Sequence, residues 1–216
     1  VVARDGRGRL AGREGEETMT TFDPIDGRTL TPRCWWEPPG EGCRRRKRPP
    51  RAVVWHWTAG ERPAEAVCTT LRNRKLSVHY VIDPDGRVVQ CADPVATVTY
   101  HAGLANEWTI GVEVVSKGTQ PASPARPRPP IACRVHGRHV AGLDFLPAQY
   151  ASIIALAEQL SADYGIPRAC AGTQPMVMTP GVQSTFSGHL EHAHLSAGKV
   201  DSGGLVMRFL REHWKI

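Results

Sequence analysis

Apolar and polar positions along this chain change period several times, and each change marks an element. Ala52-Val53-Val54-Trp55-His56-Trp57 is a short apolar, aromatic and β-branched run, which predicts a buried strand ended by Thr58-Ala59-Gly60. From Pro63 to Arg74 the positions Ala64, Val67, Cys68 and Leu71 recur at three-and-four spacing, predicting a helix opened by proline. Ser77 to Asp83 alternates, with Val78, Tyr80 and Ile82 on one face, and Asp83-Pro84-Asp85-Gly86 is a turn that returns Arg87 to Cys91 as a hairpin partner. Thr109 to Val115 alternates again through Ile110, Val112 and Val114. Residues 116 to 146 hold five prolines and read as a surface insertion near a binding groove. Pro147 to Tyr164 carries the helical stripe Tyr150, Ile153, Ile154, Ala157 and Leu160 and stops at Gly165 and Pro167; a second helix runs from Gly204 to Trp214. Strands interleaved with helices predict an α/β fold, a central mixed β-sheet flanked by helices.

Composition narrows the class. With 216 residues, 41% hydrophobic and 22% charged, the chain suits one catalytic domain with an appendage, and no apolar run reaches the roughly eighteen residues of a membrane span. We read residues 1–50 as an N-terminal arm, partly disordered or laid on the domain, and 51–216 as the domain itself; within the arm, Trp35 and Trp36 serve packing before sugar stacking. The first residues are charged where a secretory signal has an apolar core, and Met19 is a natural start, so the expectation is cytoplasmic synthesis. Twenty-seven basic against 21 acidic residues give +6, suited to a polyanion, and Arg44 to Arg48 form a basic run. No recognition motif accompanies that run, so it reads as a solvated connector and nucleic acid is not the expected partner. Six cysteines without a Cys-x-x-Cys pair exclude a zinc ribbon; they read as free buried thiols, with a Cys34–Cys43 staple as the alternative.

Candidate chemistry lies in the histidines and in one misplaced acid. His56 ends a strand just before a small-residue turn, where a hydrogen-bonded core histidine is the ordinary reading. Gly188-His189 and Asp201 downstream change this, since two imidazoles and a carboxylate make an open zinc site. Glu113 stands on the polar side of its strand beside Gly111, and partial burial in a cleft would raise its pKa into the range useful for proton transfer. Lys199, two residues before Asp201, is placed to stabilise a developing oxyanion. His136 and His139 flank Gly137-Arg138 in the insertion and read as a turn with substrate or solvent contacts, a second metal site being the alternative.

Taken in order, Val53 to Ala59, Val78-His79-Tyr80-Val81-Ile82-Asp83-Pro84-Asp85-Gly86, Tyr100-His101-Ala102-Gly103, Asn106 through Glu113, and Gly188-His189 with Lys199 to Gly203 resemble the zinc-dependent N-acetylmuramoyl-L-alanine amidases of type 2, which share a fold with peptidoglycan recognition proteins. The resemblance covers roughly 52–214. It implies one Zn2+ per chain on His56, His189 and Asp201, Glu113 as general base, and Lys199 as transition-state stabiliser. It implies substrate contacts from His101, loop support from Asn106, and a packing or substrate role for His79. Three departures stand out. His189 and Asp201 are twelve residues apart, longer than the family's usual spacings, which leaves His192 and His194 as alternative ligands. Val78 stands where some phage amidases have tyrosine, and Asp201 replaces the cysteine of many relatives. The implied activity is hydrolysis of the amide joining N-acetylmuramic acid to L-Ala in peptidoglycan, as a phage or prophage endolysin acting at the cell wall after release, with no obligate protein partner and no membrane. A cytoplasmic muropeptide-recycling amidase and a non-catalytic peptidoglycan-binding module are the alternatives.

Overall fold

The computed structural model describes residues 34–216; the Met19 start and the first part of the arm lie outside them. Five strands form the central sheet: β2 (Ala52–Trp57), β3 (Tyr80–Ile82), β4 (Val88–Gln90), β6 (Thr109–Val114) and β9 (Gly188–Glu191), in the order β4-β3-β6-β2-β9. β2 pairs in parallel with both β6 and β9, β3 pairs in parallel with β6, and β4 is the antiparallel edge. This is the expected mixed sheet. Every residue of β2 is buried, which is why its sequence reads as a continuous apolar run and not as an alternating one.

Helices cover both faces. α1 (Ala64–Asn73) buries Ala64, Val67, Cys68 and Leu71, the stripe read from the sequence, in a cluster with Val78, Val81 and Val89. On the other face α2 (Pro147–Tyr164) and α4 (Leu205–Trp214) pack on one another, with Ile153, Leu156, Leu160, Val206 and Leu210 against Trp55, Tyr80, Ile82, Ile110 and Val112. A buried carboxylate anchors α4: Glu191 accepts hydrogen bonds from the backbone N–H groups of Gly204, Val206 (3.0 Å) and Met207 (3.3 Å), supplying the partners that the first turn of a helix lacks. No helix among the described residues is long and apolar enough to cross a membrane.

Six short elements were not anticipated. β1 (Cys43–Arg45) pairs antiparallel with β5 (Thr97–Thr99), so the basic run is not a plain connector. Arg46 turns inward to the carbonyls of Thr97, Glu107 and Thr109, while Arg45, Lys47 and Arg48 remain exposed. The 116–146 insertion contains a hairpin, β7 (Pro130–Val135) and β8 (Arg138–Leu143), turned by His136 and Gly137 at positive φ. Short α3 (Pro180–Thr185) precedes β9, whose Gly-His-Leu-Glu is too brief to show a period. The arm from Cys34 onward lies on the domain, with Trp36 buried and its backbone N–H on the carbonyl of Cys91.

None of the six cysteines is in a disulfide, and five are buried. The Cys34–Cys43 alternative does not form: Cys43 Sγ donates to the carbonyl of Glu37, and Cys34 groups with Cys68 and Cys91.

Candidate metal centre

Parallel strands put the reactive groups at one edge. β2, β6 and β9 all run toward the same side of the sheet, and ligands in such sheets gather beyond the carboxyl ends of the strands. His56 is the fifth of six residues in β2, and its register partner on β6 is Glu113, so both side chains leave the same face. His192 follows β9 directly, in a single 3-10 turn over His192–His194. Asp201 lies in the loop before α4, and its carbonyl accepts from the N–H of Ala193, which ties the two loops together.

Two imidazoles and a carboxylate meet there. Asp201 Oδ2 is 3.0 Å from His56 Nδ1 and 3.1 Å from His192 Nδ1, and the three donor atoms lie within 4.8 Å of one another. Burial would raise the Asp201 pKa, but the two imidazoles facing it outweigh burial and hold it well below the usual carboxylate range. Burial pushes His56 down to about 4, so its ring is neutral, the form that ligates metals.

The register corrects the ligand assignment. His189 pairs with Val53, one step out of phase with His56, so strand alternation sends it to the opposite face of the sheet. There it accepts from Trp55 Nε1 at 3.3 Å, contacts Ser161 Oγ at 3.2 Å, and packs edge-on to Trp214. His192 takes its place, nine positions before Asp201. His194 turns away as well, to the carbonyls of Gly172 and Glu191.

A hydrogen-bond chain behind His56 decides which of its nitrogens is free. Thr109 Oγ1 donates to the Ala105 carbonyl at 2.7 Å, so it must accept from His101 Nε2 at 3.3 Å. His101 is neutral, since burial and then the neighbouring His56 and His79 drive its pKa well below the ordinary value. Its Nδ1 therefore accepts from His56 Nε2–H at 3.0 Å, which leaves the His56 Nδ1 lone pair facing the Asp201 carboxylate. Two acceptors held 3.0 Å apart repel unless a cation sits between them, and with His192 the donor set is that of an open zinc site. The residues fit such an ion.

The remaining expected residues divide between cavity and interior. A cavity of about 370 Å³ lies between α1 and the sheet, lined by His56, Glu113, His192, Lys199 and Asp201 together with His101. Glu113 Oε2 is enclosed without a hydrogen-bond partner. Burial first, and the nearby Asp201 charge second, raise its pKa to about 8, with Lys199 opposing. His101 thus reaches the cavity, but its ring nitrogens are taken up by His56 and Thr109. Asn106 spends its side-chain oxygen on the N–H groups of His101 and Ala102, which supports the loop. His79 is wholly buried, its ring nitrogens held by the Thr97 carbonyl, the Thr99 hydroxyl and the Gly111 N–H, which is the packing role of the two expected for it.

Two supporting residues were missed or misread in the sequence. Gly111 is needed because a Cβ there would come within 2.6 Å of the His101 ring. His136, read as a turn with substrate or solvent contacts, instead braces the ligand loop, its Nε2 meeting the Ala193 carbonyl at 2.8 Å. His139 on the same hairpin is exposed. Replacing His101 by alanine is expected to weaken zinc affinity roughly 10–100-fold, as for other outer partners of metal-bound histidines. Glutamine at the same position, whose carbonyl can still accept from His56, should recover part of it; competition with a chromogenic chelator reads both. Unchanged affinity in both variants would remove His101 from the support of the site.

The family model described as N-acetylmuramoyl-L-alanine amidase matches residues 46–204. Among solved structures the chain is similar to the N-acetylmuramoyl-L-alanine amidase LysC from Clostridium intestinale URNW, at 15% identity and a TM-score of 0.50 over 77% of this chain and 86% of that one. It is similar also to AmpDh3 from Pseudomonas aeruginosa, solved in complex with anhydromuramic pentapeptide, at 17% identity and a TM-score of 0.51 over 85% of this chain and 65% of that one. No curated protein matches the chain.

Proposed function

The chain belongs to the N-acetylmuramoyl-L-alanine amidase family, matched over residues 46–204, and from that membership we propose that it cleaves the amide between N-acetylmuramic acid and L-Ala in peptidoglycan with one zinc ion held by His56, His192 and Asp201. The observation that carries this reading is the meeting of those three side chains with Glu113 and Lys199 in one cavity at the carboxyl edge of the sheet.

Zinc, when bound, supplies Lewis acidity toward a carbonyl oxygen and lowers the pKa of water. The protein's own groups do the rest. Glu113, whose Oε2 is enclosed without a hydrogen-bond partner, takes the proton from the attacking water and returns it to the departing L-Ala amine. Burial of this carboxyl favours its protonated form, so it keeps the proton it has taken from water until the amine departs. Lys199 brings a positive charge to the same cavity, where it offsets the negative charge that develops on the lactyl oxygen. His101, itself fixed by Thr109, keeps His56 in one tautomer throughout. α1 forms one wall of the cavity that would receive the stem peptide.

An endolysin role is the finer part of the proposal. The net charge of +6 favours an anionic wall. The deciding experiment digests purified cell walls and soluble anhydro-muropeptides side by side, with and without a chelator, and identifies the products by mass spectrometry. The expected result is a new L-Ala amino terminus from whole walls, lost on chelation and restored by zinc. Cleavage of the soluble fragments alone would assign a recycling amidase, and no cleavage of either would leave a binding module.

A further inference from the structure

We propose that Cys34, Cys68 and Cys91 form a second metal site, separate from the hydrolytic cavity, which holds a closed-shell thiophilic cation, copper(I) or zinc(II), and fastens the segment leading into the domain onto α1. This inference does not depend on the amidase reading.

The three thiols come from three distant parts of the chain: Cys34 ahead of the buried Trp36, Cys68 in the middle of α1, and Cys91 just beyond β4. All are fully buried, and their sulfur atoms lie within 4.8 Å of one another, with Cys68 and Cys91 at 3.7 Å. A metal–sulfur bond of about 2.3 Å places the sulfurs of a tetrahedral site about 3.8 Å apart, and those of a trigonal site slightly farther. The Cys68–Cys91 edge is of that size, and the two edges to Cys34 are no longer than 4.8 Å. Its surroundings are apolar, Val67, Leu71, Val78 and Val89, and the group contains no histidine or carboxylate, a donor set that selects soft cations over magnesium or calcium. Three thiolates satisfy trigonal copper(I); zinc takes a fourth donor in addition.

Charge balance supports the assignment. Contact with Cys34 and then burial raise the pKa of Cys68, while burial foremost raises that of Cys91, so both favour the thiol until a cation displaces the proton. A cation held by three thiolates leaves a centre of net negative charge. Arg72, on the same helix, sits with its guanidinium 4.4 Å above the Trp36 ring, and its charge favours the ionised form of Cys68. A disulfide would join two of the three sulfurs and leave the third without a covalent partner, whereas a cation uses them all. The consequence is mechanical: α1 turns Cys68 inward while Ala66, Thr70 and Arg74 line the cavity, so fastening this helix also holds the groove wall.

The test uses the full chain carrying His192→Ala, which removes a ligand of the other site. It is equilibrated anaerobically with copper(I) and, in a parallel arm, with zinc(II), then desalted and analysed for both elements. The expected result is one retained equivalent of one of them, released by an organomercurial in step with modification of three thiols, and lost in a further Cys91→Ser variant. If the serine variant does not fold, the mercurial titration decides alone. A metal-free chain in both arms, release that does not track the thiols, or an intact mass two hydrogens light before any reductant is added, which marks a disulfide, would each overturn the proposal.

Discussion

Replacing His192 by alanine is expected to strip the hydrolytic ion and lower cleavage by more than the roughly 100-fold that marks the upper range for outer-partner losses, because it deletes a direct donor. His189→Ala should behave oppositely. That ring lies on the far face of the sheet against Trp55, Ser161 and Trp214, so its loss opens a cavity and orphans the Trp55 N–H, at a cost of about 2–4 kcal/mol in stability, while the folded fraction keeps its metal. Zinc content and thermal melting of the two variants separate them. Zinc lost with His189→Ala and kept with His192→Ala would reverse the assignment.

Glu113→Gln should reduce kcat by roughly 10²–10⁴-fold, the usual worth of a positioned general base, and leave zinc content unchanged, since the amide is isosteric and the carboxylate is not among the three ligands. The pH profile adds a second reading. A carboxyl acts as base only when ionised, so wild-type activity falls as pH drops through the Glu113 pKa. Without metal, burial holds that pKa at about 8; a dication close by favours the carboxylate, so in the loaded enzyme the falling limb lies below that value. The glutamine variant should lose this limb. A variant that retains both rate and pH profile would take Glu113 out of the mechanism.

Much of this protein is legible in its sequence because much of it is local. The stripe in α1, the long helix α2 and the buried run of β2 follow from residue periodicity, which depends only on how side chains project from a helix or strand. Local alternation also puts Glu113 on the polar face of β6, and the ordered set of short segments is enough to indicate the amidase family. Where the sequence is silent, the reason is length: β9 has four residues and β1 three, too few to display a period. The hairpin of β7 and β8 hides among prolines, and its function, bracing the turn that carries His192, rests on a contact between residues 57 positions apart.

The ligand choice is the sharpest case. Three histidines within six residues, His189, His192 and His194, are chemically equivalent as letters; the preceding Gly188 favoured the first, while its twelve-residue spacing to Asp201 left the other two open. What separates them is the register of β9 on β2, which aligns His189 with Val53 and leaves His192 to swing over the strand end beside His56. Register is a property of the assembled sheet, since a shift of one residue exchanges the two faces. The chemical inventory of the site, two imidazoles, one carboxylate ligand, a proton carrier and a lysine, therefore belongs to the sequence, whereas the identity of the second imidazole and the tautomer of the first were decided by strand pairing and by the His56–His101–Thr109 chain packed over Gly111.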